Sequence, residues 1–451
     1  MKAIIAGGGI SGLSLAYFLK AGGIAPVVFE ATPRPGGKIR TEKAQGFLCE
    51  WGVNGFLDNK PRTLELAGRL SLEALRSSDA ARKRFVLRGG KLRKIPEGPG
   101  EFISSGVLSP LGKLRLVLEP FIKPNLSDET LAGFARRRLG KDAFENLIDP
   151  MASGVYAGDP EKMSVESCFP RIKAIEKKHG SLIKGMIALG KEAKKTGKAK
   201  VGPGPGGTLT SFSGGMEEII KALRLALDDK VAVNSRAVSI EKTQGGYRLL
   251  LDEGAPAEAE MLVLACPAYE SAEILRDLDE RLSVLLSAIA YPPVSVICLG
   301  FSRQKINFPV DSFGFLVPFR ERKSVLGVLF DSSIFPERAP EGQVLLRIMA
   351  GGARMGKVAM LDDEKLLDTV MADLRAILGI KATPDMVRIF RHEKAIPQYE
   401  PGHTERLREI DSIMAGHHGL YLAGNAYRGI ALNDCIENSA LLAEKIIKES
   451  K

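Results

Sequence analysis

Cysteine, histidine and tryptophan are scarce in this 451-residue chain, which has five cysteines, five histidines and one tryptophan. The cysteines are scattered, odd in number and never form a C-x-x-C pair. This distribution argues against a zinc site or a disulfide framework and favours a reducing compartment. Because the histidines show no metal-binding spacing either, we expect a protein without a metal site.

Long hydrophobic runs are also missing. No stretch reaches the roughly 18 apolar residues that a membrane-spanning helix requires. The apolar N-terminus resembles a signal peptide only superficially, because glycines at positions 7, 8, 9 and 12 interrupt it and no cleavage pattern follows. We therefore expect a cytoplasmic protein without a membrane span.

Basic residues exceed acidic ones: 64 lysines and arginines against 54 aspartates and glutamates give a formal net charge of +10. Such a balance suits an anionic membrane, an acidic ligand or nucleic acid, or is a solubilising surface charge. We expect no nucleic-acid partner. Lysines are densest between Lys173 and Lys200, among apolar residues such as Ile183 and Ile187. That mixture predicts either a helix lying on anionic lipid or an ordinary exposed helix.

Length and pattern predict several domains, because 451 residues exceed one ordinary core. Residues 2–6 and 27–29 are predicted strands flanking a glycine turn and a helix over 13–21, which makes a β-α-β unit. Short strands return over 231–265 and 294–350, and the chain ends in a strand and a helix. Both ends of the chain therefore resemble parts of one nucleotide-binding sheet, with a helical insert and an antiparallel sheet between them.

A glycine-rich turn directly follows the first predicted strand. The pattern G-x-G-x-x-G is formed by Gly7, Gly8, Gly9, Ile10, Ser11 and Gly12. In this motif the glycines allow a tight turn, a close approach to a pyrophosphate and close packing of helix on strand, while the helix N-terminus favours the anion. Glu30 ends the second strand, where a carboxylate can hold a ribose hydroxyl. The combination predicts a dinucleotide site without separating NAD from FAD.

The segments that follow resemble the amine-oxidase-like flavoproteins. Residues 34–41 (RPGGKIRT) resemble the second glycine doublet of that superfamily, which implies Gly37 and Arg40 as FAD-binding residues. Residues 52–55 (GVNG) resemble the segment beside the flavin, and residues 422–432 resemble the closing flavin loop. The resemblance implies non-covalent FAD, because no segment resembles the flavin-attachment cysteine of the covalent amine oxidases. The remaining cofactor-binding residues that it implies are Gly52, Val53, Asn54, Gly55, Val233, Gly424, Ile430, Ala431 and Leu432.

Three further segments resemble the protoporphyrinogen oxidase family. They are residues 153–160 (SGVYAGDP) with Ser164 and 169–170, residues 395–399 (AIPQY) with Gly402 and His403, and residues 313–318 (FGFLVP). Monoamine oxidases and phytoene desaturases share the nucleotide segments but not these three. The resemblance therefore covers nearly the whole chain and is more specific than the glycine motif alone.

The resemblance implies a reaction. In that family protoporphyrinogen IX loses six hydrogens to become protoporphyrin IX in haem biosynthesis, in three flavin turnovers that are each reoxidised by O₂. No side chain is expected to be catalytic, because the flavin N5 takes the hydride and the protein supplies position, charge and exclusion of water. Three alternatives remain open. Oxidation of coproporphyrinogen III to coproporphyrin III would require further cations, a flavin amine oxidase would require an aromatic cage, and a flavin-binding or membrane scaffold protein would have no activity.

The implied substrate is a flat apolar macrocycle with propionate tails, which needs an apolar slot and one or two cations. By resemblance, Arg84 would meet a propionate and Gly154 would offer its backbone to the pyrrole N–H groups. Leu316 and Leu329 would pack on one side of the rings, and Met349 would form the opposite wall. Without the family, ordinary core packing and, for Arg84, a solvated charge would explain these residues better.

The predicted fold is α/β: a Rossmann-like FAD-binding domain, a mixed-sheet substrate domain and a helical membrane-facing insert. We expect residues 1–85, 196–265 and 391–451 in the FAD-binding domain, 86–195 in the helical domain and 266–390 in the substrate-binding domain. Expected partners are the porphyrinogen, O₂, an anionic membrane surface, the next enzyme of the haem pathway and a second copy of the chain. The expected location is the cytoplasm, peripherally on the inner face of the cell membrane.

Overall fold

A computed structural model describes residues 1–196 and 206–450. The end of the predicted lysine-rich region, including Lys200, lies outside these residues. The strands are, in chain order, β1 (Lys2–Ala6), β2 (Ala25–Phe29), β3 (Thr41–Ala44), β4 (Phe47–Glu50), β5 (Phe56–Leu57), β6 (Leu75–Arg76), β7 (Arg84–Arg88), β8 (Lys91–Lys94), β9 (Leu209–Ser211), β10 (Val231–Ala232), β11 (Ala237–Thr243), β12 (Gly246–Leu251), β13 (Ala257–Ala259), β14 (Met261–Leu264), β15 (Val294–Ser302), β16 (Gly314–Leu316), β17 (Val325–Phe330), β18 (Gln343–Gly351), β19 (Met386–His392) and β20 (Leu420–Leu422).

Helices connect these strands and form the insert. They are α1 (Ile10–Ala21), α2 (Pro61–Arg69), α3 (Pro99–Ser104), α4 (Pro110–Val117), α5 (Leu131–Leu139), α6 (Lys141–Ala143), α7 (Asp149–Tyr156), α8 (Val165–Cys168), α9 (Pro170–His179), α10 (Leu182–Thr196), α11 (Glu217–Leu227), α12 (Ala268–Leu275), α13 (Glu280–Ser287), α14 (Asp331–Ile334), α15 (Gly352–Ala359), α16 (Asp363–Leu378), α17 (His403–Met414) and α18 (Leu432–Glu449).

The first sheet has the strand order β10-β2-β1-β14-β20, and all of its pairs are parallel. Helices α1, α11 and α18 cover one face, and the three-stranded sheet β11-β12-β13 covers the other together with α12 and α13, so β1 is apolar on both sides. The predicted β-α-β unit is present, although α1 begins at Ile10, earlier than predicted. The reason is that the last residues of the glycine motif form the first turn of the helix.

The second large sheet has the order β19-β15-β18-β17-β16-β7-β8 and is mixed, because β16 runs parallel to β7 and the other pairs are antiparallel. Side chains alternate between its two faces. One face packs on α16 and forms a closed apolar core. The opposite face lies towards the segment after β4, because Phe390 stacks on Trp51 and Arg347 bonds the carbonyl oxygen of Glu50.

The strand pairing differs from the expected domain boundaries. The boundary drawn at residue 85 cuts β7, and the boundary at 390 cuts β19, yet both strands belong to the seven-stranded sheet. Helices α12 and α13, expected in the substrate-binding domain, pack on the nucleotide sheet instead. These pairings are long-range in sequence, so local strand and helix signals could not place the boundaries.

The helical insert contains a buried group of charges. Arg138 is fully buried and bonds Glu119 at 3.0 Å and Glu176 at 2.7 Å. Lys173, which begins the predicted lysine-rich surface, is buried too and pairs with Glu129 and Glu176. The lysine-rich surface therefore begins after Lys173, in the later part of α9. In the described part of the chain, no helix is both long and apolar enough to cross a membrane.

Candidate active site

Two glycine loops meet at the carboxyl ends of β1 and β2. The Gly36 amide donates to the Gly8 carbonyl at 2.7 Å, and the Gly8 amide donates to the Glu30 carboxylate at 2.8 Å. A side chain at Gly37 would lie 3.6 Å from the Gly9 Cα, whereas one at Gly9 would point into open space. The loops therefore form a cradle lined by backbone, with room for a pyrophosphate beside Gly9.

Two glycines of the motif are needed for packing. Gly7 has φ +112°, and a side chain there would lie 2.8 Å from the backbone of Ala265. A side chain at Gly12 would lie 2.0 Å from the Gly7 carbonyl oxygen. Both positions therefore exclude larger residues, because α1 presses directly against the strand ends.

Glu30 organises the far end of the cradle. Its second carboxylate oxygen accepts from the Thr32 amide at 2.9 Å and from the Thr32 hydroxyl at 2.7 Å. The Glu30 amide donates to the Ala232 carbonyl at 2.8 Å, which places Val233 beside it at the same edge of the sheet. This arrangement fits a ribose at the carboxylate and an adenine against the backbone of Val233.

The C-terminal loop closes on the same region. The Ser439 hydroxyl of α18 donates to the Ser11 carbonyl at 2.9 Å, so the last helix lies against the first. Ile430 and Ala431 immediately precede α18, which begins at Leu432. The N-terminus of α18 and Gly424, with φ +125°, therefore belong to the same wall as the glycine motif.

A family-signature segment holds this C-terminal loop. The Tyr399 hydroxyl donates to the Asn425 carbonyl at 2.6 Å, and His403 contacts the Tyr427 carbonyl through Nε2 at 3.1 Å. The Tyr399 and His403 rings stack with centroids 4.1 Å apart. Burial lowers the pKa of His403, which favours the neutral ring. The segment is therefore structural and fixes the loop's position.

Arg40 belongs to a three-layer stack that sequence reasoning missed. Its guanidinium lies 4.0 Å from the centroid of Trp51, and Trp51 stacks on Phe390 at 4.9 Å. The Trp51 carbonyl is 2.9 Å from Nε2 of His392. Trp51 is the only tryptophan in the chain. Its position directly before the GVNG segment was the one feature of the sequence that could have indicated this stack.

Lys38 is a second missed residue. It lies over Tyr291, 5.6 Å from the ring centroid, and burial lowers the pKa of Lys38 to about 8. Across residues 1–196 and 206–450 no carboxylate forms an ion pair with it. A side chain at Gly52 would lie 2.6 Å from the Lys38 carbonyl, so Lys38 borders the GVNG segment. With Arg347, which bonds the Gly52 carbonyl, it makes this segment positively charged, as an anionic reduced flavin requires.

The GVNG segment lies between the two large sheets. Gly55 packs against β9, where a side chain would lie 2.6 Å from the Thr210 carbonyl. Val53 is half-buried against the core of the nucleotide sheet, and Asn54 is buried. The side-chain amide of Asn54 donates a hydrogen bond to Asp331, which lies in a distant part of the chain.

The structure brings the predicted substrate residues onto one face of the seven-stranded sheet. The strand register aligns Leu316, Leu329 and Met349 on the face towards the GVNG segment, with Arg84 at its edge. Gly154 of α7 closes on this face, because a side chain there would lie 2.4 Å from Leu316 Cδ2. The three apolar side chains are half-buried.

Arg84 lies at the open end of this face. It is exposed, and its guanidinium is 4.9 Å from the Phe313 ring centroid. Among the residues that the structure describes, no carboxylate pairs with it. The face therefore combines an apolar surface with a free cation at its open end, and the described residues contain no His, Cys, Asp and Glu group that could hold a metal.

Comparison with known proteins decides the family. The sequence profile of flavin-containing amine oxidoreductases matches residues 10–447. This chain belongs to that family. It is accordingly a flavin-dependent oxidoreductase with FAD as its cofactor, and the glycine cradle, Glu30 and the positively charged GVNG segment fit this cofactor.

Named relatives cover nearly the whole chain. The chloroplastic protoporphyrinogen oxidase of Oryza sativa is 35% identical over 98% of this chain and 87% of its own length. The coproporphyrinogen III oxidase of Bacillus subtilis is 31% identical over 96% of this chain and 95% of its own length. A crystal structure from Exiguobacterium sp., provisionally named a protoporphyrinogen oxidase, has a TM-score of 0.84 and 27% identity, with 99% of each chain covered.

Proposed function

We propose that this flavoenzyme oxidises protoporphyrinogen IX to protoporphyrin IX in haem biosynthesis, in three two-electron turnovers with O₂ as the final acceptor. The observation that carries the proposal is the apolar sheet face beside the GVNG segment, with a free cation at its open end. A flat macrocycle with propionates on one edge matches that combination. The names of the relatives support the same substrate class.

In this proposal the protein binds, orients and shields the substrate. Leu316, Leu329 and Met349 lie on one face of the sheet, so they support the same side of the macrocycle, and Met349 does not form the opposite wall expected from the sequence. Arg84 holds a propionate. Bound non-covalently, FAD supplies the two-electron acceptor. Lys38 and Arg347 stabilise negative charge that develops beside the GVNG segment, and the surrounding apolar residues exclude water.

The cations of this face bear on the choice between protoporphyrinogen and coproporphyrinogen. Arg347 bonds backbone carbonyls, and Arg388 pairs with Glu42 at 2.8 Å, so neither is free for a carboxylate. Arg84 on β7 and Arg93 on β8 lie on the same face and have no carboxylate partner among the described residues. A substrate with propionates on one edge needs one such position, whereas two further propionates would need another. The Bacillus subtilis relative makes coproporphyrinogen III the second candidate.

The deciding experiment is anaerobic reduction of the bound flavin by each porphyrinogen, compared by rate. Faster bleaching with protoporphyrinogen IX supports the proposal, and faster bleaching with coproporphyrinogen III assigns the second candidate. Bleaching by a primary amine but by neither porphyrinogen would indicate an amine oxidase. Heat denaturation should release free FAD, because the cofactor is proposed to be non-covalent.

We also propose that the helical insert rests on an anionic membrane at the inner face of the cell membrane. Its exposed apolar side chains include a group over residues 103–126, which consists of Ile103, Leu111, Leu114, Val117, Leu118, Phe121 and Leu126. Lys113, Arg115 and Lys123 lie among them in sequence. Apolar side chains interspersed with basic ones suit an interfacial surface. A second copy of the chain and the next haem-pathway enzyme remain proposed partners, and we assign no surface to either.

A further inference from the structure

Asn54 of the GVNG segment is held by a carboxyl group from a distant part of the chain. Its Nδ2 donates to Asp331 Oδ1 at 3.0 Å. Asp331 is fully buried and is the first residue of α14, directly after β17. The contact therefore joins the seven-stranded sheet to the segment proposed to lie beside the flavin.

Two oxygen atoms of this pair lack a donor. Both are buried, and Asn54 Oδ1 and Asp331 Oδ2 have no hydrogen-bond partner within residues 1–196 and 206–450. An ionised Asp331 could not supply one, because a carboxylate only accepts. A protonated Asp331 carries an O–H that the Asn54 carbonyl can accept. The two groups would then be joined by two hydrogen bonds. Both oxygen atoms would have a partner, and the free-energy penalty of an unsatisfied buried polar atom would be avoided.

The burial of Asp331 and its neighbouring groups act in opposite directions. Arg347, Arg338 and the hydrogen bond from Asn54 favour its ionised form, whereas burial favours the neutral form. Burial dominates and raises the pKa of Asp331 above its ordinary value.

The remaining charges near Asp331 are already engaged with other partners. Glu50, beside both arginines, accepts from Arg338 at 3.3 Å and from the Met216 amide at 2.7 Å. On the turn that packs against α14, Asp79 and Arg82 pair with each other at the surface.

We infer that Asp331 is a positioning residue that remains a carboxylic acid and holds the Asn54 amide through a reciprocal pair of hydrogen bonds. These two hydrogen bonds use the side-chain carbonyl of Asn54 and one of its two Nδ2 hydrogens. The second Nδ2 hydrogen would then be available to an acceptor on the isoalloxazine ring. Asp331 itself does not contact the ring. The inference rests on the proposed location of the flavin beside the GVNG segment.

The test compares Asp331→Asn, Asp331→Ala, Asn54→Ala and the double alanine variant in the FAD-loaded protein. Asparagine at 331 can both accept and donate, so its thermal stability and flavin spectrum should match the wild type. Each alanine variant should shift the flavin spectrum and slow flavin reduction about tenfold, the size of one buried hydrogen bond. The double variant should be no worse than either single one, because the two residues act as a unit.

Two readouts test the protonation state directly. An infrared difference spectrum between wild type and Asp331→Asn should contain a protonated carboxyl band at neutral pH. The wild-type flavin spectrum should change as alkaline pH ionises Asp331, and that change should be missing in Asp331→Asn. The matched control is Asp373→Asn, because this carboxylate lies on α16 at the opposite face of the sheet and bonds the Ser324 amide.

Two outcomes would overturn the inference. If Asp331 is ionised, Asp331→Asn would remove a negative charge that stabilises Arg347 and Arg338, lower the melting temperature and show no carboxyl band. Additive losses in the double variant would contradict the pairing with Asn54. Failure of the proposed substrate would not affect either result, because the spectra and melting temperatures require FAD alone.

Discussion

Lys38 is a buried cation without a counter-ion in the described structure, and its burial lowers its pKa to about 8. An anion beside it would restore its proton affinity, since a nearby negative charge favours the charged form. FAD brings such charge, and reduction adds more. The affinity for FAD should therefore decline as the pH rises above about 8, where the apoprotein must bind a proton before it can pair with the cofactor.

We predict that Lys38→Met lowers the flavin reduction potential, because the reduced anion loses a positive neighbour. A loss of about 1.4 kcal/mol corresponds to about 30 mV for a two-electron couple. Spectroelectrochemical titration measures the shift, and the alkaline decline in FAD affinity should also flatten. Lys43→Met, at an exposed position of β3, is the matched control. An unchanged potential would place Lys38 away from the ring.

We predict that Arg84→Ala raises KM more than it lowers kcat. A charge-assisted contact to a propionate is worth roughly 1.5–3 kcal/mol, which weakens binding about 10- to 150-fold. Lysine should recover part of the loss, since it keeps the charge without the guanidinium fork. Arg82→Ala is the control, because Arg82 is exposed and pairs with Asp79. Normal kinetics, or loss of FAD, would refute the placement of the substrate face.

At the scale of elements, the buried charges of the insert connect its helices. Besides Arg138, Glu119 accepts from the Leu182 amide at 2.9 Å and from the Ser181 hydroxyl at 2.6 Å. It thereby ties the segment after α4 to the start of α10. Arg138 shares Glu176 with Lys173 and Arg137. Among the described residues, however, Arg138 is the one cation paired with Glu119, so the junction at Glu119 depends on this side chain.

We predict that Arg138→Met destabilises the protein by about 3–5 kcal/mol, because it leaves the buried carboxylate of Glu119 without its cation. Arg136→Met is the matched control. Arg136 lies on the same helix but pairs with Glu161 at the surface, so its loss should cost less than about 1 kcal/mol. Denaturant unfolding gives both values. Equal effects of the two substitutions would mean that the buried cluster contributes no more than a surface pair.

The sequence predicted those elements whose signals are local. The strand, glycine turn and acid of the nucleotide site lie within residues 2–30, and the family segments led to Arg84 and Leu316. It could not predict what depends on contacts between distant residues. Asp331 has no motif of its own and matters only because α14 lies against Asn54. The pairing of β7 with β16 likewise joins strands that are far apart in the chain.

At the scale of the whole molecule, both ends of the chain contribute to the proposed cofactor site. β1 and β20 flank β14 in one sheet, and α18 lies against α1. The GVNG segment then connects this sheet to the face of the seven-stranded sheet. FAD at this junction would contact elements from both large sheets, so its binding should stabilise the protein as a unit.

The exposed apolar residues of the insert suggest how the molecule would meet its proposed substrate, a largely apolar macrocycle. Leu111, Leu114 and Leu118 follow helical spacing, and Phe121 comes one turn later with 81% of its surface exposed. Burying one such side chain contributes roughly 1.5–3 kcal/mol. The basic residues near them add attraction to anionic lipid that salt weakens.

We predict that the protein binds liposomes more tightly as the fraction of anionic lipid rises and less tightly as salt rises. The double variant Leu111→Asp with Phe121→Asp should weaken binding at least about tenfold, because it removes apolar contacts and adds negative charge. Leu225→Asp is the matched control, since Leu225 is 82% exposed but lies on α11 of the nucleotide domain. Vesicle co-sedimentation measures all three proteins. Equal binding to neutral and anionic vesicles would refute the electrostatic part, and an equal loss in the Leu225 variant would refute this surface.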